Sequence, residues 1–172
     1  REDRVVQFAL VGSDSDGTHL NLNSLVDPGC RIPSESSKVH GIFNDDVRGA
    51  GSFEEHVDSM SNLMDGAVIV GHNVLAFDWR FVEMECIRIG REAPRPLAIV
   101  DTLVLARNFD VPGRHKLGLL CKRFGIGLER SHSADADAGA TLLLLWKFMR
   151  RYPNEFKGTA EEVLDSVSYT HL

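Results

Sequence analysis

Two short clusters in this chain combine residue types that can move protons or hold metal ions. Residues 71–78 read Gly-His-Asn-Val-Leu-Ala-Phe-Asp, and residues 132–138 read His-Ser-Ala-Asp-Ala-Asp-Ala. In the first, Asp78 stands where a buried apolar run gives way to a helical pattern, and ligand sites of open α/β sheets collect at the carboxyl ends of strands. Capping explains the same residue without chemistry, because an acid in a first helical turn complements the helix dipole. His72 and Asn73 fit best as residues that fix the loop through hydrogen bonds. In the second cluster His132 precedes a helix whose first turns carry Asp135 and Asp137. Acids two apart point to different faces, so they cannot both line one site. Ala134 and Ala138 let that helix approach a neighbouring backbone closely, leaving Asp137 to project beside it. His132, five residues earlier, could then act as a neutral imidazole base next to a metal-bound carboxylate. An exposed loop histidine and a dipole-complementing acid account for the same pattern.

These residues need elements to hold them. Residues 5–11 carry β-branched and aromatic side chains and run into Gly-Ser-Asp-Ser-Asp-Gly, a strong turn signal. Residues 19–26 alternate Leu20 and Leu22 with Asn21 and Asn23, a half-buried strand that should pair with the first as a hairpin. A short helix is expected over 33–40. Ser52 caps a second helix reaching Met64, with Glu55 completing a capping box. Residues 67–70 and 97–100 are short continuous apolar runs typical of buried parallel strands. Helices are expected over 78–89, 102–108, 116–124, 133–150 and 159–166. The helix over 78–89 has Trp79, Val82, Cys86 and Ile89 on one face, and the long one has Ala138, Thr141, Leu145 and Phe148. An antiparallel pair feeding a parallel portion with interleaved helices is an α/β order.

Composition narrows the partners. The 172 residues are 43% hydrophobic and 26% charged, ordinary for one globular domain, and hold no apolar stretch long enough to span a bilayer. With 19 Lys and Arg against 25 Asp and Glu, the net charge of −6 gives no global attraction to nucleic acid. A nucleic-acid enzyme of this charge would act through a local site of carboxylates and divalent metal. Cys30, Cys86 and Cys121 form no CxxC and read as reduced cysteines, the pattern of a cytoplasmic protein. The ends look cut. The chain starts at Arg1 and enters a strand almost at once. Its last six residues, Val-Ser-Tyr-Thr-His-Leu, read as the translation of a sequencing adapter, with a natural frayed tail as the alternative. The expected division is therefore a domain over 1–166, truncated at its N-terminus, and a non-native tail over 167–172.

Taken together the two clusters are specific. A His-Asn…Phe-Asp element before one helix, followed about sixty residues later by His-x-Ala-x-x-Asp-Ala opening another, resembles the DEDDh family of 3′–5′ exonucleases. The likeness extends over Val39-His40-Gly41-Ile42, residues 68–81, Asp101-Thr102-Leu103 and residues 117–125. It implies a ribonuclease H-like mixed sheet flanked by helices, with Asp78 as a catalytic metal ligand, His132 as general base and Asp137 as a second metal ligand. Two departures stand out. Three residues, Val74-Leu75-Ala76, separate the His-Asn pair from Phe-Asp where many members have two. The family's first motif, Asp-x-Glu on the strand ahead of residues 5–11, has no counterpart, and neither Glu2 nor Asp3 can replace it. In the resembled fold that strand is central, so its absence should leave residues 5–11 and 67–70 roughly 10 Å apart, at twice the ~4.8 Å strand spacing, unless they collapse onto each other.

The resemblance implies hydrolysis of the terminal phosphodiester at a single-stranded 3′ end. Two Mg²⁺ or Mn²⁺ ions would lower the pKa of the attacking water and neutralise the leaving 3′ oxygen. His132, with an ordinary pKa near ~6.5, suits proton abstraction at neutral pH. Asp78 and Asp137 should then approach within about 8 Å, the reach of a shared two-ion cluster. The implied partners are the 3′ end of DNA, with RNA as the other candidate, and a DNA polymerase as candidate assembly partner. Arg114, Lys116, Lys122 and Arg123 are candidate phosphate contacts, though solvated surface charge explains them as well. Phe8, Phe43 and Trp79 are expected in the core. A catalytically silent ribonuclease H-like module that binds nucleic acid or a polymerase is the alternative. This fragment itself is expected to be inactive and poorly stable.

Overall fold

Alternating Leu and Asn side chains pair the first two strands as the sequence suggests. β1 (Gln7–Ser13) and β2 (His19–Leu25) form an antiparallel hairpin in a register running from Gln7 opposite Leu25 to Ser13 opposite His19. At its tip the Asp14 carboxylate accepts the N–H groups of Asp16 and Thr18, and Gly17 turns the chain at φ +86°. The ladder begins at Gln7 rather than Val5 because the Val5 N–H is taken by the Glu85 carboxylate, 3.1 Å away. This is a computed structural model, and it describes residues 3–128 and 133–168.

Helix α1 (Ser34–His40) follows Pro33, and α2 (Phe53–Met64) is opened by the reciprocal capping box of Ser52 and Glu55. β3 (Val68–Gly71) then leads through a loop into α3 (Asp78–Arg88). β4 (Ala98–Asp101) lies parallel to β3 and runs straight into α4 (Thr102–Asn108). After α5 (Leu117–Arg123) comes the long α6 (Ala134–Arg151), then a single 3₁₀ turn over Pro153–Phe156 that the sequence pattern did not reveal. The last helix, α7 (Ala160–Val167), starts with a second capping box between Thr159 and Glu162. Val167 is buried, and Ser168 bridges to Val100, so these two residues of the segment set apart in the sequence pack against the domain.

Period two along the parallel strands divides the core. Ile69 and Ile99 face a layer built by α2, α3 and the hairpin, with Phe53, Val57, Met60, Trp79 and Cys86. Val70 and Val100 face the opposite layer, where Leu105, Leu120, Leu144 and Phe148 pack with α7. The apolar seam of α6 therefore centres on Leu144, which is fully buried, rather than on the half-buried Leu145. Trp79 is in the core as expected, whereas Phe43 is 56% exposed because the Phe43–Asp46 turn projects from the surface.

Among the described residues the two strand pairs are separate sheets, with no hydrogen-bonded ladder between β1 and β3. Direct pairing of the two, the collapse considered from the sequence, is not seen. α6 instead packs across both β1 and β3. A second tie comes from Glu85 on α3, whose buried carboxylate accepts from Arg4, Arg88 and the Val5 N–H just ahead of β1. No described helix is long and apolar enough to cross a membrane.

Candidate functional site

The loop between β3 and α3 is shaped by close backbone packing. Gly71 ends β3, and a side-chain carbon there would stand 2.4 Å from the Val74 Cβ, so only glycine lets the chain fold back this tightly. Asn73 follows at φ +62°, a conformation that asparagine tolerates better than most residues. The loop closes through Phe77 N–H to the Asn73 carbonyl and Trp79 N–H to the Val74 carbonyl.

Asp101 organises this turn from the neighbouring strand. It is 1% exposed, and its carboxylate accepts three backbone N–H groups: Asn73 at 2.9 Å, Leu75 at 3.2 Å and Leu103 at 2.9 Å. One side chain at the end of β4 thus caps α4 and pins the loop leading to Asp78. His72 supplies the second anchor. Its Nε2 lies 2.8 Å from the His115 carbonyl, which can only accept, and its Nδ1 lies 2.9 Å from the Thr102 hydroxyl. That places a proton on Nε2, while the single Thr102 hydroxyl proton lies between His72 Nδ1 and the Gly71 carbonyl, 3.2 Å from the hydroxyl oxygen. Burial holds the His72 imidazole below its ordinary pKa, opposed by the His115 carbonyl and the nearby Asp101 charge. His72 fixes the loop through its side chain, as expected. Asn73 does so through its backbone N–H and left-handed turn.

Asp78 is the first residue of α3 and remains open to solvent on one side. The protein atoms around it still weaken carboxylate hydration enough to raise its pKa above the ordinary value. Its own backbone N–H works against that shift, and the charge of Asp101 adds to it. Beside it Phe77 is 54% exposed and packs on Phe81 with ring centroids 5.0 Å apart. Sequence reasoning missed these two rings, and it quoted Asp101 without a role. The signal for Asp101 was an acid closing an apolar strand directly before a helix.

Asp135 and Asp137 lie in the first turn of α6, as read from the sequence, and the Asp137 carbonyl accepts the Thr141 hydroxyl at 2.7 Å. Burial raises the thiol pKa of Cys121 on α5, and the charge of Asp137 adds to that shift. His132 lies outside the described residues. α3 leaves the end of β3, and α6 packs on β3, so Asp78 and Asp137 are carried by elements that share one strand. Their hard carboxylate oxygens suit a divalent cation in kind. In number they fall short, for no three His, Cys, Asp or Glu side chains gather into a metal site among the described residues. Arg114, Lys116, Lys122 and Arg123 are all exposed.

Comparison with known proteins agrees with this geometry. The chain is 36% identical over 147 residues to a DNA polymerase III PolC-type of Lactococcus lactis, covering 84% of this chain and 9% of the relative. It is 35% identical over 148 residues to the same type of protein from Streptococcus suis, covering 85% and 10%. The chain thus spans about a tenth of the length of the curated relatives it matches. Among solved structures, Exonuclease X in complex with 5′ overhanging duplex DNA superposes with a TM-score of 0.71 at 22% identity, covering 95% of this chain and 90% of that one. Escherichia coli Exonuclease I in complex with a dA16 oligonucleotide gives 0.73 at 20% identity, covering 88% and 38%. These likenesses establish the ribonuclease H-like α/β fold. Members of the family generally use divalent metal ions. The RNase_T family model, described as exonuclease, matches residues 1–145, and the chain belongs to that family.

Proposed function

We propose that this chain carries the second half of a 3′–5′ exonuclease site, with Asp78 and Asp137 as metal-binding carboxylates and His132 as general base. The observation that carries the reading is the loop over residues 71–78. Two buried anchors, Asp101 and His72, hold it so that a solvent-open carboxylate stands at the carboxyl end of β3. A divalent ion bound there supplies Lewis-acid activation of water and charge neutralisation at phosphate. The protein's own part is to hold Asp78 rigidly, to bring Asp137 near it on α6, and to accept a proton at His132. The exposed Phe77 ring offers a face on which a terminal base can stack. Two more carboxylates, on an Asp-x-Glu strand seated between β1 and β3, would complete a two-ion set. No Asp-x-Glu occurs in the 172 residues. The DNA polymerase III relatives support a replicative setting, and the oligonucleotide complex of Exonuclease I supports a DNA strand as substrate. Attack at a single-stranded 3′ end and a cytoplasmic setting belong to the reading itself.

The test compares the 172-residue chain with one that carries an Asp-x-Glu strand ahead of residue 1, using 5′-labelled single-stranded DNA and Mn²⁺. The extended chain should release nucleoside monophosphates from the 3′ end. His132→Ala should slow it ~10²–10⁴-fold, the usual worth of a positioned general base. Asp78→Asn and Asp137→Asn should reduce release at least as much. Strong activity from the 172-residue chain alone would show that the Asp-x-Glu placement is wrong. A folded extended chain that binds DNA without cutting it would favour the silent binding module.

A further inference from the structure

The anchor on His72 reaches a loop whose side chains have no role in the site so far. His72 donates to the carbonyl of His115, so the backbone over residues 111–116 is tied directly to the loop that presents Asp78. Arg114 and Lys116 flank that carbonyl and are exposed. Gly113, at φ +87°, bends the loop, and the Arg123 guanidinium Nη2 lies 3.3 Å from where a side-chain carbon at Gly113 would stand. Arg123 therefore reaches back from α5 onto the same loop. Serving the end of its own helix is not a sufficient account of it, because the carbonyls of Leu120, Cys121 and Lys122 already accept from Phe124, Ile126 and Gly125.

Position, rather than lack of a partner alone, sets this group apart. Arg4, Arg48, Arg88, Arg91 and Arg95 each hold a carboxylate. Among the described residues Arg114, Lys116 and Arg123 hold none, as is also true of Arg80, Arg107 and Lys122, but these three converge on the loop that is tied to His72. Two cations on this loop and a third reaching it from α5 suit a repeating anion better than a single carboxylate. We propose that Arg114, Lys116 and Arg123 form a phosphate track that holds the backbone of a single nucleic-acid strand on its way to Asp78. The proposal rests on the exonuclease reading for the position of the reacting end, but the binding it describes needs no metal and no hydrolysis.

The experiment uses the 172-residue chain and a fluorescein-labelled dT15 oligonucleotide in EDTA, with binding followed by anisotropy across salt concentrations. Arg114→Gln/Lys116→Gln/Arg123→Gln should weaken binding about tenfold or more at low salt. It should also flatten the log–log salt dependence by about 2, at ~0.7 per lost single-strand contact. Lys147→Gln/Arg150→Gln serves as control, about 15 and 20 Å further along α6 than Asp137 at ~1.5 Å per residue, and should change little. Equal binding and slope in the triple variant would overturn the track, as would equal weakening by the control pair or no DNA binding by the unmodified chain. Mononucleotide release by the extended chain judges the exonuclease reading separately. Release that persists while the triple variant binds normally removes the track and leaves that reading in place.

Discussion

Removing the Asp101 carboxylate should loosen the loop that presents Asp78 before it disturbs anything else. In Asp101→Ala three backbone N–H groups lose their acceptor: Asn73, Leu75 and Leu103. The Leu103 bond is a helix cap, worth ~1 kcal/mol. The two loop bonds contribute ~1–1.5 kcal/mol each, since the acceptor is charged but the loop can open to water once released. The expected loss is about 3–4 kcal/mol, a large fraction of the ~5–15 kcal/mol that holds a typical domain together. Asp101→Asn keeps one acceptor oxygen but sets an amide NH₂ against the remaining donors, so it should fall between the two. Urea denaturation gives the total, and amide hydrogen exchange locates it. Asn73 and Leu75 should exchange faster by more than the global destabilisation explains, whereas amides in the centre of α6 should follow it. A loss below about 1 kcal/mol with both loop amides still protected would refute the account.

Three other outcomes follow from buried or half-buried charge. His72 has a folded-state pKa below its ordinary ~6.5, so the unfolded chain takes up the proton first. Stability should therefore fall as pH drops below about 6.5 toward the folded value, and His72→Gln should flatten that part of a urea-midpoint profile. Asp78 has a raised pKa, so the folded chain holds its proton longer and stability falls as pH rises through that range. In metal-free buffer Asp78→Asn should raise the melting temperature at pH 7, with the gain vanishing below the ordinary carboxylate range. Glu85→Ala should cost up to about 3 kcal/mol in urea denaturation, because it leaves Arg4 and Arg88 without their shared partner. A variant as stable as the parent would show that water satisfies both arginines.

Much of the fold is legible in local chemistry. Ser52 with Glu55, and the Leu–Asn alternation over residues 19–26, specify a helix start and a strand face within a few residues of each other. Asp78 and the two acids opening α6 are equally local signals. Asp101 is different, since its three partners lie 2, 26 and 28 residues away and only the fold brings them together. The same holds for the Glu85 cluster, joined to Arg4 across 81 residues. Leu144 replaces Leu145 at the centre of the α6 seam because both lie within the arc of a helical stripe. The direction in which α4 and α5 approach, absent from the periodicity, decides between them.

The contrast between the two sheets bears on how this domain can hold a reactive edge. β3, β4 and the loop over residues 71–78 form one unit, joined by a ladder, by Asp101 and by the His72 bonds to Thr102 and His115. The β1–β2 hairpin shares no ladder with that unit and is held through α6 and through Glu85. Glu85 and Asp78 sit on the same helix seven residues apart, about two turns, so they lie near one face of α3. A shift of the hairpin would be felt first at Glu85 and carried along α3 to its first residue. The placement of Asp78 is therefore set at both ends of α3, by Asp101 through the preceding loop and by Arg4 and Val5 through Glu85. Any strand that entered between β1 and β3 would have to keep both ties intact. Such a strand would meet Asp78 on a helix already fixed in position, so the geometry of the completed site would depend on the incoming residues rather than on rearrangement of α3.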